Sequence, residues 1–134
     1  MKIVRVCPVY YPFFEHGGSV VADYELDKAL VAEGHNLKVI TCKKSMKESH
    51  SSSLSQNHKV LYFSSLGNII YGISLGPLIW LIVNCLKKNN NIDLVWFGGI
   101  WNLQSILGPI ICRTFSKKYI ISPHGMLVPH LINL

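Results

Sequence analysis

His124 stands between Pro123 and Gly125, just past an apolar strand pattern at 119–122. An imidazole at a strand end can hydrogen-bond a sugar hydroxyl or a phosphate, or act as a base near neutral pH. The plainer alternative is a loop histidine bonded to backbone. Gly17-Gly18 precedes a helical pattern. Without side chains, a ligand can approach that backbone closely, and the amino terminus of a helix favours an anion such as a diphosphate; the alternative is a tight turn entering a helix. Glu15 and His16 flank the glycines, and Glu15 is the one carboxylate in a strand-end loop near them. Trp101 follows Gly98-Gly99 and could stack on a sugar face, or could bridge loop and helix in the core.

Several chemistries are excluded. The glycine pair fits neither the dinucleotide fingerprint nor the P-loop. No Asp or Glu follows Asp93, so no carboxylate pair for glycoside hydrolysis can be assembled there. There is no D-x-D to anchor a metal-bridged diphosphate, and His16, His35, His50, His58, His124 and His130 lack metal-ligand spacing, so no metal site is expected. Cys7, Cys42, Cys85 and Cys112 form no C-x-x-C and predict neither disulfide nor zinc framework. That usage fits a reducing, cytoplasmic setting, and no signal peptide is expected because Arg5 and Pro8 break the first apolar run.

The elements that must position these residues follow from apolar patterning. A chain of 134 residues, 49% hydrophobic and 15% charged, predicts one ordered domain over 1–134. Strands are predicted at 2–7, 37–41, 60–63, 93–97 and 119–122. A helix is predicted from a Ser19 cap to about Glu33, with Ala22, Leu26, Ala29 and Leu30 as its inward stripe and Asp23, Asp27 and Lys28 facing out. Gly34 suits its left-handed end. Residues 43–59 read as a long polar loop. Residues 103–115 read as a helix that Gly108-Pro109 would kink or shorten. Apolar strands alternating with helices predict an α/β fold: a Rossmann-like parallel sheet with flanking helices, its strand-end loops gathered at one edge.

Residues 60–86 carry no charge, and 69–86 could just span a bilayer by length. Gly72, Gly76, Pro77, Asn68, Ser74 and Asn84 interrupt that stretch, so the first reading is a crossover helix on the sheet. An interfacial helix comes second and a membrane span last. The net charge is +6, with Lys43, Lys44, Lys47, Lys87, Lys88, Arg113, Lys117 and Lys118 contributing. These read as a solvated face or as attraction to an anionic bilayer, worth about 1 kcal/mol per residue at the surface. Nucleic acid is not expected as a partner, since no reading motif appears.

Lys2-Ile3-Val4-Arg5-Val6, Tyr10-Tyr11-Pro12, Gly17-Gly18, Leu30, Gly34-His35 and Val39-Ile40-Thr41 resemble the amino-terminal half of family 4 glycosyltransferases of the GT-B fold. Ile121-Ser122-Pro123-His124-Gly125-Met126-Leu127, followed by Pro129, resembles a later motif of the same half. The resemblance implies a retaining hexosyltransferase that moves a sugar from a nucleotide-sugar to a glycan or glycolipid acceptor in cell-surface polysaccharide synthesis. It implies a cytoplasmic protein, peripheral on the membrane face, with no cofactor beyond the donor substrate. His124 would face the transferred sugar as the catalytic residue. Gly17, Gly18 and Gly125 would lie at the donor diphosphate and sugar, and Glu15, His16, Trp101 and Met126 on the acceptor side.

Two departures stand out. The strand at 93–97 runs into Gly98-Gly99 where relatives often carry a histidine. The family's glutamates spaced eight apart are also missing; Glu25 and Glu33 have that spacing but are predicted on the solvent face of the first helix. The expectation is therefore a truncated enzyme, lacking the carboxyl-terminal nucleotide-binding domain and inactive alone. The alternative is a non-enzymatic fragment, or a subunit that needs a separate carboxyl-terminal half.

Overall fold

A computed structural model describes residues 1–43, 53–66, 73–87 and 91–125. The chain is α/β, built on one six-stranded sheet. In chain order its elements are β1 (Lys2–Val6), a 3₁₀ turn (Phe14–His16), α1 (Gly18–Ala32), β2 (Asn36–Lys43), β3 (Ser53–Ser55), β4 (His58–Ser64), α2 (Gly76–Leu86), β5 (Leu94–Gly98), α3 (Leu103–Thr114) and β6 (Tyr119–Ser122). The sheet order is β3-β4-β2-β1-β5-β6. Five strands run parallel, and β3 adds an antiparallel edge to β4. The chain builds outward from β1 through β2 to β4, then returns through α2 to start β5 on the other side of β1. That return makes the ends of β1 and β5 the topological switch point, where open α/β sheets form their binding crevice.

Both faces of the central strands are covered, as their near-continuous apolar runs require. Val4, Val6, Ile40, Val95 and Phe97 pack with Leu81 of α2 and Cys112 of α3. Ile3, Leu37, Val39 and Val60 pack on the other face with Tyr24, Leu30 and Val31 of α1. At the edge, Tyr119, Ile120 and Ile121 of β6 are each about two-fifths exposed, at 40%, 41% and 41%.

Several expectations change. The long polar loop contains β3, and β4 begins at His58, two residues before its apolar run. Helix α3 continues through Pro109. Proline forfeits one ladder bond, but the bare Gly108 lets the turn pack directly on the Phe97 ring, where a Cβ would overlap it, and that packing holds the helix. Within 69–86, the described helix is the 11 residues of α2, packed on the sheet. No helix among the described residues is long and apolar enough to cross a membrane. Ser19 does not cap α1. Gly17, at φ 117°, is the N-cap, and the helix starts two residues sooner because glycine alone takes that turn without strain. The other end is as expected: Gly34 (φ 85°) donates to Val31 and His35 donates to Leu30, closing the helix with a paired left-handed cap.

The inward face of α1 also differs. Ala22, Leu26 and Ala29 are exposed, Leu26 at 39%, whereas Asp23 and Asp27 are buried. The cause is Arg5. It lies in the middle of β1, on the face that α1 covers, with 0% exposure. A buried guanidinium must be paired, and acids four apart on a helix share one face. The helix therefore turns its acids inward and leaves its alanines in water. Glu25 and Glu33 remain on the exposed side, as expected.

Candidate functional site

The guanidinium of Arg5 organises the interior beneath the crevice. Its Nε donates to both oxygens of Asp27 at 2.9 and 2.8 Å, and its Nη1 donates to Asp23 Oδ1 at 2.9 Å. The cation also stacks on the Trp96 ring, 4.4 Å from its centroid. Tyr10 donates its hydroxyl to Asp27 Oδ2 at 2.8 Å, which leaves the phenol oxygen to accept from His58 Nε2 at 3.3 Å. Burial raises the Tyr10 phenol, and the adjacent Asp27 charge reinforces this, so it stays a donor. Desolvation works against the Arg5 charge, but the two carboxylates outweigh it and hold the guanidinium protonated.

His58 is driven the other way. Burial lowers its pKa below the ordinary 6.5, against a smaller raising effect from Asp27. Below about pH 6.5 the unfolded chain takes up a proton that the folded chain resists. Between that ordinary pKa and the lowered folded one the unfolded state binds more protons, so stability falls as pH falls through the window. Thermal melts between about pH 8 and pH 5 should show this loss. His58→Gln should flatten that part of the profile while keeping a donor near Tyr10.

A crevice of about 280 Å³ opens at the switch point, lined in part by Cys7, Pro8 and Val9 after β1 and by Gly98, Gly99, Trp101 and Asn102 after β5. Helix α1 contributes Ser19, Val20 and Asp23, and His16 and His124 complete the rim and floor. Small-molecule pockets usually run to roughly 300–1,000 Å³, so this one suits a single sugar ring rather than a whole nucleotide-sugar.

Local structure fixes each wall. Asn102 caps α3, accepting from Ser105 N–H at 2.9 Å and donating to Gly98 carbonyl at 3.0 Å, which pins the β5 loop. Gly99 N–H donates to Ser122 carbonyl at 2.8 Å, tying that loop to the end of β6. The chain then turns through two left-handed residues, His124 (φ 47°) and Gly125 (φ 78°). The His124 side chain is 15% exposed, and its Nε2 lies 3.3 Å from Asp23 Oδ2. That nitrogen is buried, and the contact lies off the N–H direction, so no aligned hydrogen bond satisfies it.

The structure thus brings His124, His16 and Trp101 to one crevice, with Trp101 at 65% exposure. Gly17 and Gly18 form the turn between the rim residues His16 and Ser19, and a Cβ on either would meet nothing within 4 Å, so the backbone there is open. No side chain caps that helix terminus. Glu15 does not line the crevice; its side chain is 67% exposed, with Oε1 3.8 Å from His16 Nε2. Gly125 follows His124 in the turn but is not part of the wall. Met126 lies outside the described residues. Sequence reasoning missed Asp23, Arg5 and Asn102. The available signal was an arginine in the middle of an otherwise apolar strand, which demands a carboxylate nearby. The four cysteines carry free thiols; burial pushes those of Cys42 and Cys112 up to about 11 and about 12.

No family model matches the chain, and no curated protein shows significant similarity to it.

Proposed function

We propose that the chain is the acceptor-side half of a retaining glycosyltransferase that acts on a nucleotide-sugar and a glycan or glycolipid acceptor. One observation carries this reading. An uncapped helix terminus behind Gly17-Gly18 and the His124 imidazole converge on a ring-sized crevice at the switch point. The helix terminus suits a diphosphate, and the imidazole suits a sugar hydroxyl. Trp101, exposed at the mouth, offers an apolar face for a pyranose. The motif resemblance at both ends of the chain points to the same reaction. The exposed edge of β6 and the cationic surface are compatible with peripheral contact at an anionic membrane face.

In this reading the 134 residues orient the sugar and its acceptor, while a nucleotide-binding half closes over them. That half supplies the base pocket and the paired glutamates of the family. The crevice is too small to enclose the whole donor by itself, which agrees with a divided site. The test is transfer of labelled sugar to a glycolipid extract, using the purified chain with and without a nucleotide-binding GT-B half supplied in trans. Transfer only in the mixture is expected. Robust transfer by the chain alone would refute the divided site.

A further inference from the structure

We propose that Asp23 is the positioning residue for His124: it holds the imidazole with its proton on Nε2, and Arg5 in turn holds Asp23. This rests on reading His124 as the group that faces substrate. The geometry is specific. Asp23 is buried and its two oxygens have separate tasks. Oδ1 accepts from Arg5 Nη1 at 2.9 Å, and Oδ2 lies 3.3 Å from His124 Nε2. A carboxylate in an ion pair only accepts hydrogen bonds. An unprotonated Nε2 would leave two electron-rich atoms 3.3 Å apart with that nitrogen shut off from water, so the charge on Oδ2 favours the neutral tautomer with its proton on Nε2. Nδ1 is then the acceptor of the pair, able to take a hydroxyl proton and unable to donate to a phosphate.

Two further features hold the arrangement. Arg5 cannot swing away, because Asp27 grips its Nε through both oxygens and Trp96 covers its face. Gly98 gives the pair room: a Cβ there would stand 3.3 Å from Asp23 Oδ2 and 3.5 Å from His124 Nε2. The contact is also long and off-axis now, as catalytic hydrogen bonds often are before substrate binds, so ring and carboxylate need only a small shift to align.

Nitrogen-15 NMR of the imidazole reads the tautomer directly, at about pH 8, above the usual histidine range. No sugar substrate is needed. His124 should show its proton on Nε2. In Asp23→Asn the amide oxygen must stay on Arg5, which is donor-only. The amide NH₂ then faces Nε2 and forces the proton to Nδ1, so the two nitrogen resonances should exchange character. Asp23→Ala, which leaves the Arg5–Asp27 pair intact, should give a mixture of tautomers; it serves as the second variant if Asp23→Asn does not fold. A wild-type proton on Nδ1, or an unchanged tautomer in either folded variant, would overturn the proposal. Failure of sugar transfer with the tautomer as expected would count against the proposed function and leave the Asp23 assignment standing.

Discussion

Replacing Arg5 with methionine is expected to cost about 3–5 kcal/mol of stability, because it strands buried charge without its partner. Asp27 is 0% exposed and Asp23 is 5% exposed, so neither carboxylate can recover its lost donors from water. For a chain of this size the loss corresponds to roughly 10–20 °C in Tm. The pairing itself is not where the stability comes from, since desolvating three charges offsets most of their attraction. The triple variant Arg5→Met, Asp23→Leu, Asp27→Leu should therefore recover most of what the single substitution loses. Thermal and urea melts of both variants check this. A single variant as stable as the wild type would mean that the guanidinium is not the organiser of α1.

The second large effect concerns transfer. With the nucleotide-binding half present, His124→Ala should lower the rate by about 10²–10³, the usual consequence of removing one preorganised polar contact from a reacting centre. Its circular dichroism should be unchanged, because His124 lies in a turn beyond the last strand and outside the packed clusters of the core. Lys28→Ala is the matching control. Lys28 pairs with Glu25 on the exposed side of α1, with Nζ 3.1 Å from Oε2, and should leave the rate alone.

The parallel strands were legible because each is a short apolar run between polar or glycine-containing breaks, and 119–122 appears in the structure unchanged as β6. The gathering of the β1, β5 and β6 loops followed from topology alone, and it is what places Trp101 and His124 in one crevice. The phase of α1 was not legible from its own residues. Ala22, Leu26 and Ala29 form a better apolar stripe than Val20, Asp23 and Asp27, yet the latter face inward. A helix is oriented by what it must cover, and here one arginine on another element outranks several weakly apolar side chains. Strand β3 was equally hidden, because the three residues Ser53–Ser55 are too few to establish a period and owe their shape to pairing with β4. Asp23 was overlooked at the site for the same reason: as an outward-facing acid it had no route to His124.

Under the proposed function, the crevice at the ends of β1 and β5 receives the sugar end of a nucleotide-sugar. Its most direct test is a ¹H–¹⁵N titration of the chain with a panel of nucleotide-sugars. Shifts should be largest at the Gly17, Gly18 and Gly99 amides, the Trp101 indole and the His124 ring, and His124→Ala should weaken them for the ligand that binds. Shifts confined to the opposite, amino-terminal edge of the sheet, or none with any member of the panel, would contradict that function.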